Sequence, residues 1–182
     1  ADPVPAGMPD ARGTTHDVPD TQACRNCHRG GGDFALGLGS LQLDRASFDG
    51  WVAEGVLSAE TPFAAPPGEG LAAQVLGYFH GNCSHCHNDL HPLGARVALR
   101  LNLPVGLTDP AEAPAYVTSI GQAANHSGLE GTDLIVAPGD PAASQLYVRM
   151  ARRDMLAMPP SGTEVVDETA TRDVEAWIRA LP

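Results

Sequence analysis

The chain alternates between long stretches with no hydrophobic period and a few short ones with a clear one-sided face. Residues 1–19 are rich in Pro, Gly and Asp, show no period and predict an extended arm. Asp20 is placed to cap a short helix over 21–28, which Gly30-Gly31-Gly32 would end. Leu36, Leu38, Leu41 and Leu43 alternate with small or polar residues, as in an extended segment. Ser47 is expected to start a further helix, with Phe48, Trp51 and Val52 on one face and Gly55 closing it. Residues 58–69 carry Pro62, Pro66, Pro67 and Gly68 and form the best linker in the chain. The expected division is therefore 1–68 and 69–182.

The clearest helical face follows that linker. Leu71, Val75, Tyr78 and Phe79 recur at i, i+4, i+7 and i+8 and predict a helix over 70–85. Residues 88–139 read mostly as loop, with a short strand over 97–103 and a short helix over 111–120. Asp140-Pro141 resembles a helix opening, and that helix is expected to run to Arg152 with Leu146, Tyr147 and Met150 inward. Asp167 should cap a last helix whose inner face is Val174, Trp177, Ile178 and Leu181. The fold class is mostly α with long loops. With 20 Gly and 16 Pro in 182 residues, such a chain needs an organiser besides its apolar side chains.

Charge narrows the partners. The formal net charge is −11 and every basic residue is Arg. An acidic surface argues against nucleic acid, which needs a basic face, and favours a basic or neutral docking partner. No run approaches the roughly 18 apolar residues of a membrane span.

The four Cys carry the chemistry. They fall as Cys24-Arg25-Asn26-Cys27-His28 and Cys83-Ser84-His85-Cys86-His87, two identical CxxCH patterns with none left over. This is the c-type haem attachment signature. Thiols three residues apart on a helical turn reach the two vinyl groups of one porphyrin, and the following imidazole, His28 or His87, becomes the proximal iron ligand. A four-Cys zinc site would not need a His after each pair, and the 55 residues between the pairs (28–82) are many for a compact zinc ribbon. A thioredoxin-like site needs only one CxxC, and two CxxC disulfides would be strained and reducible loops. Two covalently bound haems c, on Cys24/Cys27 and Cys83/Cys86, are the expectation. Haem attachment of this kind, with the opening Ala1-Asp2-Pro3-Val4-Pro5 read as a trimmed N-terminus, implies an exported protein, periplasmic or secreted.

From residue 70 onward the order helix, CxxCH, loops, helix, Met-Pro-Pro, helix resembles a class I cytochrome c domain. The resemblance matches Phe79 to the aromatic four residues before the first Cys and Trp177 to the aromatic of the C-terminal helix. Gly77 would let those helices approach closely. It further implies that Met158, followed by Pro159 and Pro160, is the distal iron ligand of the second haem. Independently, a thioether favours ferrous iron and raises the potential, and two prolines hold its loop extended. More of the chain is similar to a bacterial group of diheme c-type cytochromes. The similarity lies in Tyr78-Phe79-His80-Gly81-Asn82-Cys83-Ser84-His85-Cys86-His87-Asn88, in the run from Pro138-Gly139-Asp140-Pro141 to Met150, in Met158-Pro159-Pro160 and in Trp177-Ile178. It implies electron transfer between redox protein partners.

The first motif lacks a Met anywhere between residues 29 and 149, so its distal ligand is open. Candidates are His16, His80, His126, Met8 and Met150, while His85, inside a motif spacer, and His91 receive no role. Arg96 and Arg100 are weak candidates for pairing with haem propionates. If nothing fills the site, the alternative function is a small diheme peroxidase or a gas-binding haem sensor. No nucleophile–base pair or phosphate loop stands out, so an electron carrier is favoured over an enzyme.

Overall fold

The computed structural model describes residues 4–31, 34–37, 39–125 and 129–182. Among these it is mostly helical, with six α-helices joined by long irregular segments and no strand beyond isolated bridges. The helices are α1 (Thr21–His28), α2 (Arg45–Ala53), α3 (Gly70–Asn82), α4 (Pro114–Ser119), α5 (Gln145–Met150) and α6 (Glu168–Ala180). No described helix is long and apolar enough to cross a membrane.

The core is the crossing of α3 and α6. Asp167 caps α6 by accepting from Ala170 N at 3.0 Å, and Val174, Trp177 and Ile178 are buried at i, i+3 and i+4. Three such side chains contribute about 1.5–3 kcal/mol each, far more than helix propensity over 13 residues. From α3 they meet Val75, Leu76 and Phe79, all about 1% exposed. Phe79 and Trp177 pack edge to face at 5.8 Å, and the Trp177 indole N–H donates to the Tyr116 hydroxyl at 2.8 Å. Gly77 does not serve that crossing. A Cβ there would meet the Pro66 ring at 3.1 Å, so the glycine admits the 58–69 segment instead.

Several expected boundaries move for local reasons. Helix α2 is capped by Asp44, not started by Ser47; the Asp44 carboxylate accepts from both the amide and the hydroxyl of Ser47. Gly55 does close it, at φ +73°. Helix α3 stops at Asn82, and the second CxxCH occupies the turns beyond it. The Asp140-Pro141 pair makes a turn rather than a helix start. There the Ser144 hydroxyl bonds back to the Asp140 carbonyl at 2.7 Å and receives the Ala137 amide at 2.8 Å, so α5 begins only at Gln145. The stretch 97–103 is extended, with Leu99, Leu101 and Leu103 buried, but it pairs with no strand. The N-terminal arm folds back on itself, with Met8 and Val18 exchanging backbone bonds of 2.9 and 2.8 Å. Leu38 lies outside the described residues. Its neighbour Leu41 is 5% exposed and joins the core beside α3, as does Ala64.

Candidate haem-binding site

Helix α1 carries Cys24, Cys27 and His28. It is short, buries no side chain and is held at its start by Asp20, which accepts from Ala23 N at 2.7 Å. Eight residues of that kind do not make a stable isolated helix. What steadies α1 is the other motif. The Asn88 amide donates to the Gly30 carbonyl at 3.1 Å while also reaching Ser84 and His85 carbonyls. The His91 Nε2–H donates to the Asn26 carbonyl at 2.6 Å, and its Nδ1 accepts from Leu93 N at 3.0 Å. His91 is 5% exposed, so this neutral imidazole is a buried bolt between the motifs. Gly30 is buried so closely that a Cβ would fall 1.6 Å from the His85 carbonyl oxygen.

The same contact brings thiols of the two motifs together. The Cys86 thiol lies 3.9 Å from the Asn26 carbonyl, and Cys27 and Cys86 are close enough to shift one another's titration. Cys86 lowers Cys27 to about 6; burial opposes this, and His28 and His91 assist it. Cys86 moves in the opposite direction, raised by Cys27 and by burial. Cys83 is raised to about 12 by burial alone. All four thiols are free. They do not converge with other donors: no group of three or more His, Cys, Asp or Glu among the described residues could hold a metal ion.

The two motif histidines differ. His28 is exposed, and its Nδ1 sits 2.8 Å from the Phe34 carbonyl, an acceptor that fixes the proton on Nδ1 and leaves Nε2 with a free lone pair. That is the tautomer a metal-ligating imidazole requires. His87 is half-buried, and its Nδ1 is buried with no hydrogen-bond partner among the described residues. Burial pushes it below the ordinary histidine range, Arg149 and Arg100 push the same way, and the Leu99 backbone opposes them. The peptide of His87 is anchored where Leu101 N donates to its carbonyl at 2.9 Å. A ligating imidazole that offers Nε2 carries its proton on a partnered Nδ1, as His28 does, whereas at His87 it is Nδ1 that lacks a partner. The hydrogen bonding of His28, and not that of His87, thus matches a haem ligand.

Met158 is half-buried on a loop tied to α5. Its amide donates to the Arg149 carbonyl at 2.9 Å, and Arg149 Nε donates to the Leu156 carbonyl at 2.8 Å. Met155, three residues earlier, is 99% exposed. Among the candidates for the first iron, Met150 is buried in the core and Met8 is exposed on the arm. His16 is exposed 3.7 Å from Glu164. His80 Nδ1 accepts from Leu103 N at 3.0 Å. His126 lies outside the described residues. Arg100 is fully engaged as a loop staple, with Asp89 at 2.6 Å and the carbonyls of Val97, Leu99 and Gly94. Sequence reasoning missed Asn88, His91 and Gly30, because their partners lie 58 or 65 residues away in the chain or across a backbone contact.

Beside this junction lies a cavity of about 480 Å³, walled by Gly30, Gly31 and Leu36 on one side and His80, His85 and Leu103 on the other. Searches against family models, curated proteins and solved structures found no match to this chain.

Proposed function

We propose that the chain is a diheme c-type cytochrome of the periplasm or the secreted space, carrying electrons between redox protein partners. The observation that carries this reading is the docking of one CxxCH turn against the other. Cys24 and Cys27 would hold one haem and Cys83 and Cys86 the second, with His28 and His87 as proximal ligands and Met158 as distal ligand of the second. The haems supply reversible one-electron chemistry. The chain's own part is placement. The contact between the two motifs, with the Cys86 thiol 3.9 Å from the Asn26 carbonyl and Asn88 and His91 as clamps, would make groups attached to them neighbours. Neighbouring redox groups allow an electron to enter at one and leave by the other. The acidic surface suits a partner with a basic or neutral docking face. The class I cytochrome c arrangement of 69–182 belongs to the same proposal, supported by the Phe79–Trp177 crossing.

A second reading rests on the same contact: Cys27 and Cys86 are close enough to interact, as a disulfide linking the motifs would require. One experiment separates the two. Protein made in cells with the c-type haem attachment machinery is weighed by intact mass spectrometry, and haem is counted by the pyridine method. Two haems per chain, falling to one in Cys24→Ala/Cys27→Ala, are expected. A haem-free mass reduced by two hydrogens per bridge would replace the cytochrome reading with the disulfide one.

A further inference from the structure

The cavity of about 480 Å³ beside the motif junction has a volume suited to a small organic molecule, and its lining is of two kinds. Part of it is flat or apolar. Gly30, Gly31, Gly37 and Gly39 line it with bare backbone, against which a planar molecule can lie without meeting a side chain. Leu36, Leu90 and Leu103 line it as well. Leu103 is buried, but Leu36 and Leu90 are 40% and 71% exposed, apolar surface open to a ligand.

Among the polar groups of the lining, two are donors whose orientation is already set. His80 gives its Nδ1 lone pair to the Leu103 amide at 3.0 Å, so its ring is neutral and its Nε2 bears the proton. Gln42 accepts from the Gly39 amide through Oε1 at 2.8 Å, which turns its Nε2 into the outward donor. That Nε2 stands 3.4 Å from where a Cβ on Gly81 would be, and it has no acceptor among the described residues. Gly81 follows His80 directly, so the two donors sit beside one another at the end of α3. Ser84 and Asn88 are spent within the protein. The Ser84 hydroxyl donates to the His80 carbonyl at 2.5 Å, and the Asn88 oxygen accepts from the amides of Leu90 and His91. Asp89, the one carboxylate in the described lining, is paired with Arg100 at 2.6 Å, and no arginine lines the cavity. Nothing there balances the charge of an anion.

We propose that this cavity binds a planar, uncharged carbonyl compound of the quinone class. Its ring lies against the glycine backbone and the leucine side chains, and its carbonyl oxygens accept from His80 Nε2 and Gln42 Nε2. A hydrocarbon of the same shape would leave both donors without partners. The site goes beyond the electron-carrier reading and does not rest on it, since no Cys and neither His28 nor His87 lines the cavity.

The probe is 2,3-dimethyl-1,4-naphthoquinone, whose substituted ring resists addition of thiols, and 2,3-dimethylnaphthalene is its carbonyl-free counterpart. Binding to the full chain, made with the haem attachment machinery and with its haems counted, is measured by equilibrium dialysis. The quinone should bind at one site per chain, and the naphthalene about tenfold more weakly or worse. His80→Asn, whose side-chain oxygen can keep the Leu103 amide, and Gln42→Glu, which keeps the Gly39 amide, each remove one donor. Each should weaken the quinone roughly two- to tenfold and leave the naphthalene unchanged. The comparison of the two probes on wild type needs no variant to fold. Absence of quinone binding, equal binding of the naphthalene, or unchanged quinone affinity in both variants overturns the proposal. The haem count is read separately: two haems without quinone binding leave the diheme reading standing, whereas quinone binding with fewer than two haems overturns that reading and leaves the site.

Discussion

Gly30→Ala is the sharpest test of the motif junction. Gly30 does not have a positive φ, so alanine costs nothing in backbone conformation. The obstacle is purely steric. The added Cβ would stand 1.6 Å from the His85 carbonyl oxygen and 2.6 Å from its carbon, where real contacts essentially never fall under 3.0 Å. The motifs must therefore part by at least 3.0 − 1.6 = 1.4 Å, and a backbone carbonyl cannot swing aside as a long side chain would. Parting by that much breaks the 3.1 Å bond from Asn88 to Gly30 and the 2.6 Å bond from His91 to Asn26. The Asn88 amide keeps its Ser84 and His85 acceptors, so its loss is small. Buried His91 loses the acceptor of its Nε2–H, and an unsatisfied buried donor costs about 1–3 kcal/mol. Together the two give about 1–4 kcal/mol. In a chain of this length that lowers a cooperative Tm by roughly 2–16 °C. If residues 4–60 undock alone, the same loss appears as early proteolysis around 29–60. The control is Gly50→Ala on α2, where nothing lies within 4 Å. A Gly30→Ala protein with the melting temperature and protease resistance of wild type would refute the junction.

Three other perturbations address separate parts of the fold. On the proposed diheme reading, Met158→Ala should remove the sulfur-to-iron absorption band, lower the potential of the second haem and open it to CO, while Met155→Ala, 99% exposed, should change none of these; visible spectra and a redox titration decide it. Trp177→Ala should cost about 3–5 kcal/mol in denaturant unfolding through the lost α3–α6 packing, and Trp177→Phe only about 0.5–1.5 kcal/mol through the lost bond to the Tyr116 hydroxyl. Burial first, with Asp167 and Cys83 aiding, raises Tyr78 from 10.0 to about 12. The folded state then favours the neutral phenol, so its contribution is whole below pH 10 and lost as the pH climbs toward 12. Stability followed against pH should fall less steeply across that window in Tyr78→Phe.

What could be read in the sequence was whatever depends on near neighbours. Asp20 and Asp167 cap α1 and α6 because a carboxylate three residues before a free amide needs no tertiary help. The faces of α3 and α6 follow from the 3.6-residue period, and Val75, Phe79, Val174 and Trp177 are buried accordingly. Where two local signals competed, the reading slipped. Asp44 outranked Ser47 as a cap because one carboxylate satisfies both its amide and its hydroxyl. The Asp140-Pro141 signal lost to Ser144, which closes a turn over the same residues. The 97–103 stretch has the alternation of a strand but takes its bonds one at a time, from His87, Thr118 and His80. At the site, Cys24, Cys27, His28, Cys83, Cys86 and His87 announce themselves by spacing. His91 and Asn88 do not, since each looks like an ordinary loop polar residue until the first motif is laid against it.

The junction is also unequal, and that inequality says which part of the chain depends on which. The first motif contributes backbone atoms, the carbonyls of Asn26 and Gly30; the second contributes side chains, His91 and Asn88, and the wall formed by the His85 carbonyl. A backbone acceptor is available whatever residue bears it, so Arg25, Asn26 and Arg29, all exposed, are free to vary while the dock persists. Only Gly30 is fixed, because there the absence of a side chain is itself the complementary shape. His91 and Asn88 have no such freedom, since each makes several bonds with defined donors and acceptors. The α3–α6 crossing holds the second motif with a core of its own, and the first motif takes its position from it. An α1 without one buried side chain can therefore present two thiols and an imidazole in fixed positions, because the order it lacks is supplied from 58–65 residues further along the chain.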